Sequence, residues 1–264
     1  MKWIFSFLLS IFLPVYLSTF LSAQTFSGEF GEVKGTVEIL KEGEMDWAPA
    51  VEGMPVQLKD KIKTAENSSC NVELDDGSII FVGENTEAAI DTLEITTEKH
   101  DSKVSLWFGK ILANISKSKD TKMEVNSPTA IVAVRGTEFA VESSGEKTAV
   151  GVFDGEVGVK NTEGTEIEEV NVKPDQETLV ERGIRPRPPS RLVLMQKYKE
   201  RNARLRKRVQ SLKEQLKRHP PEHRLKMRQT AFEKFKKLRE KRIEQIKRNQ
   251  MKRKAIKRRS PPSR

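Results

Sequence analysis

Residues 127–141 read SPTAIVAVRGTEFAV, two β-branched, apolar runs joined through Arg135, Gly136 and Thr137. Val132 and Val134, then Phe139 and Val141, recur with the period of two that half-buried strands require. Gly136 falls where a bend or bulge needs a residue without Cβ, and Pro128 opens the segment without costing a ladder hydrogen bond. The same grammar extends outward: between residues 31 and about 180, short apolar runs are punctuated by Gly, Asp and Asn, with almost no sustained 3.6-residue pattern. Strands are expected at 33–40, 56–63, 70–74, 78–82, 88–95, 104–108, 110–115, 123–125, 131–134, 138–141, 148–152, 155–159 and 178–180. The fold class is mainly β: a compact β-sandwich or a short β-solenoid-like domain over 31–182.

Four turns share one form, Asp76-Gly77, Phe108-Gly109, Arg135-Gly136 and Asp154-Gly155, each with apolar residues on both sides. Their irregular spacing argues for related β-turns rather than a strict repeat array. Cys70 is the only cysteine, which excludes an intramolecular disulfide and any thiolate cluster for zinc or iron-sulfur. It alternates with Asn71 beside Val72 and Leu74, so its thiol is expected in the core.

The charge is divided by position. Residues 185–264 hold 31 Lys and Arg against 6 Glu, net +25, which leaves 17 against 32, net −15, for residues 1–184. The first residues put Lys2 before an apolar run that ends in Ser22 and Ala23, the pattern of a secretory signal over 1–23. Export to the periplasm or envelope follows, with a retained N-terminal anchor as the alternative; no later run is long enough to span a bilayer. Three prolines at 186, 188 and 189 break strand and helix alike, so residues 183–190 read as a linker.

Beyond it, 191–259 read as a basic helical tail interrupted at Pro220 and Pro221. Only 21 of the 80 residues from 185 onward are apolar, too few for an independent core. Met195, Tyr198, Asn202, Leu205, Val209, Leu212 and Leu216 step by threes and fours, a heptad seam with one polar Asn. Parallel self-pairing would set Arg201 and Arg208 against Arg206 and Lys213, so an antiparallel pairing or an acidic partner is favoured. The acidic body of the same chain is a third candidate for that partner.

No catalytic constellation is visible. His100 stands in a polar stretch, and His219 and His223 flank the prolines, so all three read as solvated; Asp75-Asp76-Gly77-Ser78 lacks the later carboxylate of a calcium loop. No cofactor is implied, and the chain is not expected to be an enzyme.

Gly35 with Val37, the run 56–64, LDDGSIIFV, LWFGKILANI, SPTAIVAVRGTEFAV and TAVGVFDGEVGV, in that order over residues 31–160, resemble the FecR domain family of bacterial extracytoplasmic proteins. The family's motifs fall on Asp76, Gly77 and Ser78, on Leu106 to Gly109, on Val134 to Phe139 with Arg135, Gly136 and Thr137, and on Val152 to Val157 with Gly155. The resemblance implies that these are scaffold residues. Founding members relay an iron-uptake signal from an outer-membrane receptor to a cytoplasmic sigma factor. Only Met1 and Lys2 precede the apolar segment here, so a sigma-binding region is not expected, and a membrane-anchored regulator is the alternative reading.

The expected function is that of an exported binding or scaffold module whose tail contacts an anionic envelope component or an acidic protein partner. The contact residues are expected at Arg204, Arg206, Lys207 and Arg208, and at Lys252, Arg253, Lys254, Lys257, Arg258 and Arg259. These runs would bind nucleic acid by counterion release, but export argues against that meeting.

Overall fold

In the computed structural model, which describes residues 27–95, 100–117, 121–163 and 169–259, the strands form one continuous sheet of 17 members folded over on itself. Its pivot is β9 (His100–Asn114). In order of pairing, the first layer runs β4 (Pro55–Val56), β1 (Gly28–Lys34), β6 (Ser69–Leu74), β7 (Ile79–Val82), the second half of β9, β12 (Glu138–Ser143), β13 (Lys147–Asp154), β16 (Gln176–Glu181) and β17 (Ser190–Arg191). The second runs β3 (Ala48–Pro49), β2 (Val37–Leu40), β5 (Lys61–Thr64), β8 (Glu87–Ile95), the first half of β9, β10 (Thr121–Asn126), β11 (Ala130–Val134), β14 (Val157–Asn161) and β15 (Val170–Val172). Among the described residues every pairing is antiparallel except that of β9 with β10. The expected sandwich is therefore present, and the expected signal over 1–23 lies outside the described residues.

The chain changes layer again and again, and residues with positive φ stand at the corners: Gly35, Gly53, Lys59, Asn67, Asn85, Gly136, Gly155 and Asp175 between strands, Gly109 within β9. This corrects several expected boundaries. The run 33–40 is two strands in different layers, broken at Gly35, and 56–63 is likewise split at Lys59. Phe108-Gly109 is not a turn between two strands but a kink inside one. There φ is +98°, and a Cβ would fall 2.3 Å from the Thr86 hydroxyl and 2.5 Å from its Cα, so only glycine lets β9 pass from one layer to the other. Arg135-Gly136 and Asp154-Gly155 are also corners between layers, whereas Asp76-Gly77 does close a hairpin, β6 with β7.

The core fills the space between the layers, with Phe30, Ile39, Ile62, Val72, Ile80, Leu106, Ile111, Val125, Val132, Phe139, Val150 and Val159 among its members. Cys70 lies there as expected, 1% exposed, and burial pushes its thiol up to about 12. Residues 183–190 do not stand free. The Arg187 amide donates to the Leu179 carbonyl, the Thr178 hydroxyl donates to the Arg187 carbonyl, and Ser190 pairs with Glu177. A 3-10 turn (Met195–Tyr198), α1 (Lys199–Arg218) and α2 (Pro221–Arg259) follow, and no helix among the described residues is long and apolar enough to cross a membrane.

Candidate functional site

The first layer is apolar on both faces. In β7, Ile80 and Val82 enter the core while Ile79 and Phe81 face outward, and Leu112, Ala140 and Ala149 continue that outer patch. Against it lies the tail. Leu192, Met195, Tyr198, Leu205, Val209 and Leu212 are all buried on this patch, so the heptad seam packs on the sheet of its own chain instead of on another helix. Gly151 on β13 makes the fit possible: a Cβ there would sit 2.5 Å from the Met195 Cβ and 2.9 Å from the Leu192 Cδ1.

Charge then fixes the helix in register. Glu177 of β16 accepts from the amides of Val193, Leu194 and Met195 at 3.0, 3.0 and 2.9 Å, a carboxylate seated where unpaired donors open the 3-10 turn. Glu142 accepts from the Tyr198 hydroxyl at 2.8 Å and pairs with Lys197 at 2.7 Å. Burial pulls the Glu142 carboxyl upward, yet these two partners hold it below its ordinary value, and burial with Glu142 pushes the Tyr198 phenol up. Asn202, 3% exposed, donates to the Glu138 carboxylate at 2.7 Å, which also takes the Arg206 Nε at 2.5 Å. Arg208 grips Glu73, 2% exposed, with two bonds of 2.6 and 2.9 Å. Gly31 clears the space for that carboxylate, since a Cβ would lie 2.1 Å from its Oε1.

At the joint between the helices, Arg224 donates to Asp75 and to the carbonyls of Leu216 and His219 at the end of α1. Arg228, only 4% exposed, bonds both oxygens of Asp75 at 2.6 and 3.0 Å and Glu29 at 3.0 Å. Replacing Arg228 with alanine takes the arginine from Glu29 and leaves Asp75 with Arg224 alone. We expect α2 to loosen by about 2 kcal/mol, seen as roughly thirtyfold faster amide exchange over 221–243 with the strands unaffected. Unchanged exchange there would mean that other contacts hold α2.

Farther along, α2 leans on the open edge of the sandwich: Phe235 packs against the core, and Arg239 pairs with Glu44. Between helix and edge runs a groove of about 1320 Å³, lined by Trp47, Val51, Met54, Met227, Phe235 and Leu238 among others.

The expected site residues are distributed as follows. Asp76 accepts from the Ser78 amide and hydroxyl, and Lys213 of α1 lies over Gly77, so the turn of the expected motif sits beneath the tail. Val134, Thr137 and Phe139 are buried, and Thr137 donates to the carbonyls of Arg135 and Glu156 across the corner beside Gly136 and Gly155. Arg135 is exposed on the outer face of the second layer. Arg206 and Arg208 are engaged by Glu138 and Glu73, while Arg204 and Lys207 are exposed. Lys252, Arg253, Lys254, Lys257, Arg258 and Arg259 belong to the last turns of α2, and their side chains lie outside what is described. Sequence reasoning passed over Glu73, Glu138, Asp75, Arg224 and Arg228, which carry most of the joint. His100 reaches the Thr121 hydroxyl at 3.3 Å, and no group of three or more metal-ligating side chains is gathered among the described residues.

Residues 60–158 match the family model described as FecR protein. Two crystal structures of a "putative anti-sigma factor" from Parabacteroides distasonis are similar to the chain, at 22% and 21% identity with TM-scores of 0.42 and 0.41. Each match covers 50% of this chain and 59% of the other, so the chain spans somewhat more than half the length of those proteins. No curated protein matches the chain.

Proposed function

We propose that the chain, whose residues 60–158 match the FecR protein family, is a non-enzymatic, exported FecR-domain protein that acts as a binding or scaffold module of the bacterial envelope. The observation that carries this reading is the two-sided character of α1. Its seam and two of its arginines face the sheet, while Arg204, Lys207 and Arg218 are exposed on the other side. The tail is thereby fixed to an acidic body and offers cations outward from a rigid element. Outside the cytoplasm the polyanions at hand are lipid phosphates and anionic polysaccharides, and each positioned charge adds about 1 kcal/mol, or about fivefold, to binding at such a surface.

The test is co-sedimentation of the purified chain with phosphatidylglycerol-containing vesicles and, separately, with an anionic envelope polysaccharide. Binding at low salt is expected, with loss at high salt and an affinity drop of tenfold or more in Arg204→Glu/Lys207→Glu. A chain that leaves both polyanions unbound at low salt would overturn the reading. Mass spectrometry of the native N-terminus addresses export directly: a chain starting at Gln24 is expected.

A further inference from the structure

The outward side of α2 carries an ordered row of charge. Glu233, Lys237, Glu244 and Arg248 are all exposed. At 100° per residue they fall within about 60° of one another, on the side roughly opposite Arg228, Phe235 and Arg239, which hold the helix to the body. Their signs alternate along the helix, minus, plus, minus, plus. Met251, 68% exposed, lies in the same row, while Met227 and Leu238, 57% and 67% exposed, stand between the row and the body at the mouth of the groove.

We propose that this face of α2 pairs with α2 of a second copy of the chain, antiparallel, about a two-fold axis between Glu240 and Lys241. In that register Glu233 meets the partner's Arg248 and Lys237 meets the partner's Glu244. Every pair is then of opposite sign, and the axis falls at the middle of the helix Pro221–Arg259, so the two helices overlap along their whole length. A parallel, in-register pair would set each of these charges against its own kind, so the row selects one orientation. Such a contact is isologous, each copy giving and receiving the same surface. The pair of Arg248 with Glu244 inside one helix, 2.6 Å apart and exposed on both sides, is weak enough to be shared with the partner. Met251, in the same row, gives the contact an exposed apolar side chain. The inference does not rest on the envelope-binding reading, since it needs no polyanion.

Charge exchange tests it on exposed residues that folding does not need. Glu233→Lys/Glu244→Lys makes the row wholly basic, and Lys237→Glu/Arg248→Glu makes it wholly acidic. By sedimentation velocity of the purified full chain at low salt, the unaltered protein is expected to sediment as a dimer. Each variant alone is expected to sediment as a monomer, and their equimolar mixture as a dimer again. Mixed Glu233→Cys and Arg248→Cys chains should cross-link to each other under oxidation, with the buried Cys70 inert. A monomeric wild-type chain at the highest soluble concentration overturns the proposal. So does dimerisation of either charge variant alone, or a mixture that stays monomeric.

Discussion

Replacing Gly151 with valine is expected to lift the 3-10 turn and the first half of α1 off the sheet while the sandwich beneath stays folded. The reason is space, not backbone freedom. Gly151 sits in β13 with its missing side chain aimed at the tail, and a Cβ placed there meets the Met195 Cβ at 2.5 Å, its Cγ at 2.9 Å and the Leu192 Cδ1 at 2.9 Å. Met195 is fully buried and Leu192 is 4% exposed, so neither can swing aside within the interface. Two responses compete. Shifting the turn outward by about an ångström costs the 1–3 kcal/mol typical of overpacking, and valine adds two methyls beyond the clash of alanine. Releasing the turn altogether forfeits the burial of Leu192, Met195 and Tyr198, about 1.5–3 kcal/mol each.

The glutamates argue for a partial release. Glu177, whose carboxylate caps the turn through three amides, must part from them if the turn moves, whereas Arg208 and Glu73 lie farther along and keep their grip. We expect a loss of about 3–4 kcal/mol in urea unfolding, with alanine costing about 1–2. Amide exchange should accelerate over 195–205 and far less over 209–218. Wild-type exchange across 195–205 in the valine variant would show that the turn does not depend on this space.

Much of this was legible in the chain itself. Period-two alternation located most strands, and SPTAIVAVRGTEFAV marked a corner and two core strands because Gly136 and the β-branched residues leave little else to do. What alternation does not encode is which layer a strand joins. Gly35 and Lys59 split runs that look continuous because a corner in a folded-over sheet needs only one positive-φ residue, and Lys59 is not a residue from which that is read. Gly109 was legible as a special point but not as a kink, since pairing with two layers at once is a tertiary fact.

The docking of α1 did leave a trace. Ile79–Val82, 111–113 and 139–141 are apolar without interruption, the mark of strands covered on both faces, and a seam of matching length follows in the tail. Read together, these two features assign the seam to the sheet. Asn202 looked like a register-setting residue of a coiled coil, and it does set register, but against Glu138. The carboxylates that receive the tail arginines were illegible because Glu73 and Glu138 stand among alternating strand residues that read as solvated.

The second large effect is expected at Lys41 and Asp60. They form an ion pair of 2.6 Å, 5% and fully buried respectively, and Lys41 also donates to the Pro55 carbonyl at 2.7 Å while Asp60 accepts from the Gln57 amide at 2.8 Å. The pair thus ties the end of β2 to the corner between β4 and β5, beneath Phe232 of α2, whose ring centre lies 5.5 Å from the Lys41 ammonium. Burial drives both groups toward neutrality, Lys41 downward and Asp60 upward, each restrained by the other. Lys41→Met removes the restraint and leaves a buried carboxylate, at an expected cost of about 3–5 kcal/mol near neutral pH. Asp60→Asn strands the ammonium and should cost nearly as much. Lys41→Met/Asp60→Leu, which removes both charges, should recover at least half of the loss, because the desolvation of the pair disappears with it. The sign of the pH dependence follows from Asp60. In Lys41→Met its folded pKa remains above the unfolded value, now without an opposing ammonium, so the folded state binds the extra proton and the variant gains stability as pH falls through that raised folded pKa. The gap to the unaltered protein should therefore narrow between neutral pH and about pH 5, measured by urea unfolding at each pH. A gap that stays constant or widens on acidification would show that Asp60 is not the buried charge left behind, and that the strain lies in the β2 end itself.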